Sequence, residues 1–355
     1  MSKPILVGVI VVALAAGVGG YAVMAGAPAA PKGGCPALVS MAPYDANFIA
    51  YGDFATMRNS SLAHKMNPGA NNPALPKEYQ DFVAQTNFHF ETDLEHIMVE
   101  GSVDSAAGGL ILEGKFDQPK ISDFVAKFGA KTHYEAGDVY MFPTHTATGS
   151  VALMFIDPKR LAITMGKSAE TQALLLADAA HNSDTSAHED MCARAERVAG
   201  APFFMIGDVP KSAGLAMAAL AAKNSEVTDV LQPLQGWDFA TWTDGDNLRM
   251  EIEGDYGTRL DALKARIAFE KVRKQIQQAE SQAKTGLMAN SPATPAIESL
   301  IKNFGISLDG RFVRMSTSLS QSDLEGIQRA ATSMAPAMGM GMGMGMPATP
   351  PKRGR

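Results

Sequence analysis

Cysteine is nearly absent: Cys35 and Cys192 are the only two in 355 residues. That excludes a disulfide-dense scaffold and any CxxC redox or zinc pair. A single bond between them is open in an oxidising compartment. The common catalytic signatures are also missing. There is no GxxxxGK[ST] phosphate loop, no GxSxG nucleophile elbow and no HExxH metal helix. The one GxGG-like stretch, Gly17 to Gly20, lies inside an apolar run and is not a dinucleotide fingerprint. Basic charge is short as well. Lys+Arg 31 against Asp+Glu 37 leaves a formal net charge of −6, and the only obvious basic cluster is Lys352, Arg353 and Arg355. Phosphate binding needs a basic face, so nucleic acid is not an expected partner. No cofactor is called for.

One long apolar run is present. No charged residue stands between Lys3 and Lys32, and Ile5 to Ala27 reads ILVGVIVVALAAGVGGYAVMAGA. Roughly 20 apolar residues in helix cross a bilayer core, and soluble helices are rarely apolar on every face. The expectation is a transmembrane signal-anchor over residues 1–27, touching the membrane through 5–27. The alternative is a cleaved signal peptide and a secreted chain. Val23-Met24-Ala25 suits a peptidase, whereas Pro28 opposes cutting after Ala27. Lys3 favours the N-terminus inside, which leaves the bulk of the chain extracytoplasmic, in the periplasm. Residues 28–37, PAAPKGGCPA, read as a linker. Lys32 ahead of Cys35 does not fit a lipid-attachment pattern.

The body reads as one unit used twice. ANFIAYGDF from Ala46 resembles APFFMIGDV from Ala201, with Asp53 and Asp208 ending each strand. GGLILEGKF from Gly108 resembles NLRMEIEGDY from Asn247, aligned on Glu113-Gly114 and Glu253-Gly254. DPKRLAITM from Asp157 resembles DGRFVRMST from Asp309. Alternation predicts strands near 47–53, 95–101, 108–115, 139–142, 150–156 and 160–165, with helices near 76–86, 119–129 and 168–180. The second copy has strands near 202–208, 237–243, 247–254, 305–308 and 311–317. Its helices fall near 212–223, 258–285, 293–303 and 321–333. In the long one, Thr258 and Asp261 form a capping pair. Leu260, Leu263, Ile267, Val272, Ile276 and Ala279 form its apolar stripe, opposite a charged and amide-rich solvated face. The fold class is α+β: two similar, mainly antiparallel sheet-plus-helix domains, 38–180 and 201–333, joined by a polar linker at 181–200 and followed by a disordered Gly-Met/Pro tail at 334–355.

YDANFIAYGDFATMRNS, FVAQTNFHFETDLEHIMV, LILEGKFD and DGRFVRMSTSLS give the chain a resemblance over residues 38–333. It resembles a group of bacterial envelope proteins with an N-terminal anchor or signal and tandem ferredoxin-like units. The group has no established activity, so the resemblance implies a fold and a compartment and transfers no functional residue.

Candidate chemistry is sparse. HNSDTSAHEDMCAR holds His181, His188 and Cys192, a loose set for a metal whose spacing matches no zinc pattern. His89 and His96 read as surface or strand-end residues, and His133 and His145 lack an evident carboxylate. Trp237 and Phe239 share one strand face, Trp242 takes the other, and core packing is the default. Met338, Met340, Met342, Met344 and Met346 alternate with glycine. Thioethers suit Cu(I), but ordering so glycine-rich a chain is costly. The leading expectation is a membrane-anchored extracytoplasmic binding or scaffold protein without catalytic activity, a subunit among other envelope proteins. Cu(I) handling by the Met tail or the His181–Cys192 linker is the alternative. A hydrolase with an unrecognised site ranks third.

Overall fold

The structure, a computed structural model, describes residues 34–43, 46–60, 77–102, 107–143, 149–181, 189–209, 230, 232–244, 247–283 and 294–326. The anchor run, helix 212–223 and the Gly-Met tail lie outside the described residues. In chain order the elements are β1 (Phe48–Asp53), α1 (Phe54–Arg58), α2 (Lys77–Thr86), α3 (Phe90–Asp93), β2 (Leu94–Ser102), β3 (Ala107–Gly114), α4 (Gln118–Ala126), β4 (Ala130–Tyr134), β5 (Gly137–Pro143), β6 (Ser150–Asp157) and β7 (Arg160–Gly166). Then come α5 (Ala169–His181), α6 (Glu189–Arg197), β8 (Phe203–Asp208), β9 (Leu234–Asp244), β10 (Asn247–Tyr256), α7 (Arg259–Ala283), α8 (Thr294–Asn303), β11 (Gly305–Asp309) and β12 (Phe312–Leu319). This is a mixed α+β fold built on one large antiparallel sheet with helices on both faces.

The sheet runs β11-β12-β10-β9-β8-β1-β2-β3-β7-β6-β5-β4. Its centre is the antiparallel pair β1–β8, and the register there is symmetric. Phe48 lies opposite Gly207, Phe203 opposite Gly52, and Ala50 opposite Met205. Outward on each side the order repeats: β2 and β3 then β7 on one flank, β9 and β10 then β12 on the other. Asp53 faces His96, which faces Glu113, which faces Arg160. Asp208 faces Gly236, which faces Asp255, which faces Phe312. The counterpart of Glu113 across the sheet is therefore Asp255, two residues beyond the Glu253 that sequence similarity pairs with it.

Pleating sorts the apolar side chains onto two faces. Ile49, Met98, Ile111, Ala162, Phe204 and Ile206 meet α5, α6 and the Leu38–Ala42 turn on one face. The other face is aromatic. Phe88 stacks on Phe116 at 5.0 Å and Phe82 meets Phe124 edge-on at 5.3 Å, under α1, α2 and α4. β6, SVALMFID, is buried on both faces, which is why it reads as a continuous apolar run. Helix starts follow capping rules. Asp117 accepts from the Lys120 amide with Pro119 in the first turn of α4, and Thr258 accepts from the Asp261 amide at the start of α7.

Two expectations change. The stretch read as an inter-domain linker contains α6, and Met191, Arg194 and Ala195 are buried. The α7 stripe faces the other way. Ala262 and Ala265 are fully buried against Val313 and Tyr256, with Ala268 and Phe269 packed beside them. Leu260, Leu263, Ile267 and Val272 are 61%, 40%, 61% and 45% exposed. Small alanines let α7 approach the sheet closely; larger side chains on that side would hold it off.

This assignment has a direct check. Ala265→Leu, which overfills a closed contact, costs about 1–3 kcal/mol. Leu263→Ser or Ile267→Ser changes stability by no more than about 0.5 kcal/mol, as for open surface sites. Urea midpoints in the reverse order would mean that the stripe is core.

Candidate functional site

Three constellations stand out, two polar and one apolar. The first is an ionic network beneath α6. Arg194 places Nη2 3.0 Å from Asp208 and 3.3 Å from Asp255, and Nη1 3.8 Å from Asp238. Arg197 reaches Asp238 at 2.9 Å and Glu253 at 3.0 Å. Arg314 joins Glu253 to Glu251, Arg249 caps Glu251, and Arg311 closes on Asp255 at 2.9 Å. Five arginines thus meet five carboxylates. Asp238 and Asp255 are only 1% and 3% exposed. The Phe312 ring lies against both Arg197 and Arg311, at 4.5 and 5.3 Å. Gly236 makes room for the guanidinium of Arg194: a Cβ there would sit 2.2 Å from Nη2. The same helix carries Cys192, which is bonded to Cys35. Burial pushes the Asp238 carboxyl up to about 6, aided by the charge of Glu253 and opposed by Arg197 and Arg194. Balanced charge and a covering helix make this network a clasp between α6 and the strands beneath it.

The second is the row Asp53–His96–Glu113. His96 lies 3.0 Å from Glu113 and 3.7 Å from Asp53, with Tyr51 stacked on its ring at 6.0 Å. Burial works to lower the His96 pKa, but the Glu113 bond and the Asp53 charge hold it above the ordinary value. The His96 bond in turn lowers Glu113. Asp53 is already committed, since it caps α1 by accepting from the Thr56 amide at 2.7 Å and hydroxyl at 2.6 Å. His133, expected to lack a carboxylate, has Asp138 at 2.9 Å across the β4–β5 hairpin.

The third is the outer side of α7. Leu260, Leu263 and Ile267 are exposed there, and beside Ile267 opens a cleft of about 740 Å³, walled by Val230, Gln232 and Pro233 and by Asp261, Lys264, Ile267, Ala268 and Lys271.

Of the metal candidates, His181 ends α5 with Nδ1 2.6 Å from the Ala177 carbonyl. Cys192 is held in its disulfide. His188 and Met338, Met340, Met342, Met344 and Met346 lie outside the described residues. Among the described residues no group of three or more His, Cys, Asp or Glu is placed to hold a metal ion. Sequence reasoning missed both polar networks because their partners are far apart in the chain; cross-strand register is the signal that joins them.

No protein-family model matches this chain, and no curated protein matches it. Among solved structures it is similar to crystal form I of TP0453, at 11% identity and a TM-score of 0.41, covering 84% of this chain and 99% of that one. Crystal form III of TP0453 gives 12% identity and a TM-score of 0.43, covering 83% and 98%.

The two raised groups set a pH profile. The folded pKa of Asp238 lies above its unfolded value, so it contributes stability that grows as pH falls from about 6 towards 4. His96 contributes stability present below its unfolded value near 6.5 and lost as pH rises through its higher folded value. Unfolding free energy therefore declines from mildly acidic to neutral pH in two windows. Asp238→Asn flattens the lower one and His96→Gln the upper. A profile unchanged by both substitutions would refute these assignments.

Proposed function

We propose that the chain is a membrane-anchored, extracytoplasmic binding or scaffold protein without catalytic activity, working as a subunit among other envelope proteins. The observation that carries this is the uncovered apolar side of α7. Leu260, Leu263 and Ile267 recur at i, i+3 and i+7 on a helix whose buried face lies elsewhere. Contiguous exposed apolar surface of this kind marks interaction sites. The Cys35–Cys192 bond fits an oxidising compartment. No helix among the described residues is long and apolar enough to cross a membrane, so the anchor role falls to Ile5–Ala27. The symmetric register about β1–β8 supports reading residues 38–180 and 201–333 as two related ferredoxin-like units.

The expected result in native membranes is a chain that resists carbonate extraction and, in mild detergent, migrates in an assembly larger than its own 37.5 kDa. Both cysteines should resist alkylation until reductant is added. A soluble monomer, or free thiols in freshly lysed cells, would contradict the reading.

A further inference from the structure

α7 differs from the rest of the molecule in charge as well as in apolar exposure. The chain carries −6 overall, yet among the described residues the charged side chains that α7 exposes are Arg259, Lys264, Arg266, Lys271 and Lys274. Its described acids are only half-exposed and are already paired within the helix, Asp261 with Lys264 at 3.7 Å and Glu270 with Arg273 at 2.8 Å. Helical spacing puts Lys264 and Lys271 on the flank of the Leu260–Leu263–Ile267 ridge, and Lys274 at its C-terminal end. Lys264 and Lys271 also line the cleft, whose apolar walls are Val230, Pro233, Ile267 and Ala268. The result is an apolar ridge and groove about two to three helical turns long, bordered by Lys264 and Lys271 and by the Asp261 carboxylate that pairs with Lys264.

We propose that this groove docks an acidic amphipathic helix of a partner protein. The inference rests on the binding-protein reading above and names the chemistry of the partner. Three apolar anchors at i, i+3 and i+7 of the visitor match the ridge, and flanking Asp or Glu meet Lys264, Lys271 and Lys274; apolar pockets read by such anchors are the usual helix-in-groove mode. Charge complementarity selects the partner and speeds its arrival. The side of the sheet separates this occupant from a bilayer. Cys35, where the anchor's linker ends, is bonded to α6 on the face formed by Ile206 and Leu176, while α7 packs on the opposite face through Val313. The α7 groove therefore opens on the face of the sheet opposite the one to which Cys35 is bonded.

The test uses the full chain in detergent with its disulfide intact. The probe is a fluorescent synthetic helix with Leu at i, i+3 and i+7 and Glu on both flanks; its control carries Lys in place of Glu. Anisotropy should show the acidic probe binding at least about tenfold tighter than the basic one, the scale of one lost apolar or charged contact. Added salt should weaken binding, because the charges are exposed. Ile267→Ser and the pair Lys264→Glu with Lys271→Glu should each weaken it by about tenfold or more, with melting temperatures unchanged. Equal affinity for the two probes, or none for either, overturns the proposal. So does loss of binding to phosphatidylserine vesicles in these variants without any probe binding, which assigns the face to lipid. Self-association that the variants abolish would assign it to a second copy. If native assemblies persist unchanged in the variants, the groove proposal fails while the scaffold reading stands; if no assembly exists, the scaffold reading itself fails.

Discussion

Arg194 is buried, and a buried guanidinium stripped of its carboxylates costs several kcal/mol. Its partners come from three strands, Asp208 on β8, Asp238 on β9 and Asp255 on β10, so satisfying one arginine fixes the relative position of all three. Arg197, one turn on, repeats the arrangement with Asp238 and Glu253. α6 is consequently held to the second half of the sheet by charge. It is held to the N-terminal turn by the bond from Cys192 to Cys35 and by contacts with Val39 and Met41. A clasp of this sort adds less through net ion-pair energy than through geometry, because each buried pair roughly offsets its own desolvation. What it enforces is a unique seating: any slip of β8 against β9 leaves charges unpaired.

That seating explains why two similar halves share one sheet. Each half ends in an edge strand of the β1 or β8 type, and an unpaired edge invites foreign strands. Pairing β1 with β8 removes both edges at once, in a register that maps onto itself when the halves are exchanged. The two halves differ at the ends of their strands. At the row holding His96 and Glu113 in the first half, the second has Gly236 and Asp255. The glycine gives space to Arg194, so the strand-end row of the second half is the floor of the clasp, where the first half has a polar row.

Much of this was legible in the sequence. Alternation marked most strands to within a few residues, and Asp53 and Asp208 announced equivalent strand ends. The capping pair Thr258 and Asp261 marked the start of α7. Three things were not legible, for physical reasons. α6 hides in HNSDTSAHEDMCAR because its buried surface is only Met191, Ala195 and the stem of Arg194, too little to show as apolar periodicity. β4, AKTHY, exposes nearly all its side chains and lacks the alternation of a half-buried strand. In α7 the larger apolar residues masked the alanine face, since periodicity reports where bulky side chains lie and not which side a helix chooses to bury. The ion pairs join residues 41 and 61 positions apart, which composition alone cannot pair.

The central claim is that the two halves, each able to form strands on its own pattern, stand or fall together because α6 clasps them. Trp237 and Trp242 both sit on β9 and report the second half, while the amides of β6 and β7 report the far side of the first. Equilibrium urea unfolding with the disulfide intact, followed in parallel by tryptophan fluorescence and by hydrogen exchange at β6 and β7, measures the coupling directly. The account predicts one shared midpoint for both probes. Two separated transitions, with β9 melting while β6 and β7 remain protected, would contradict it.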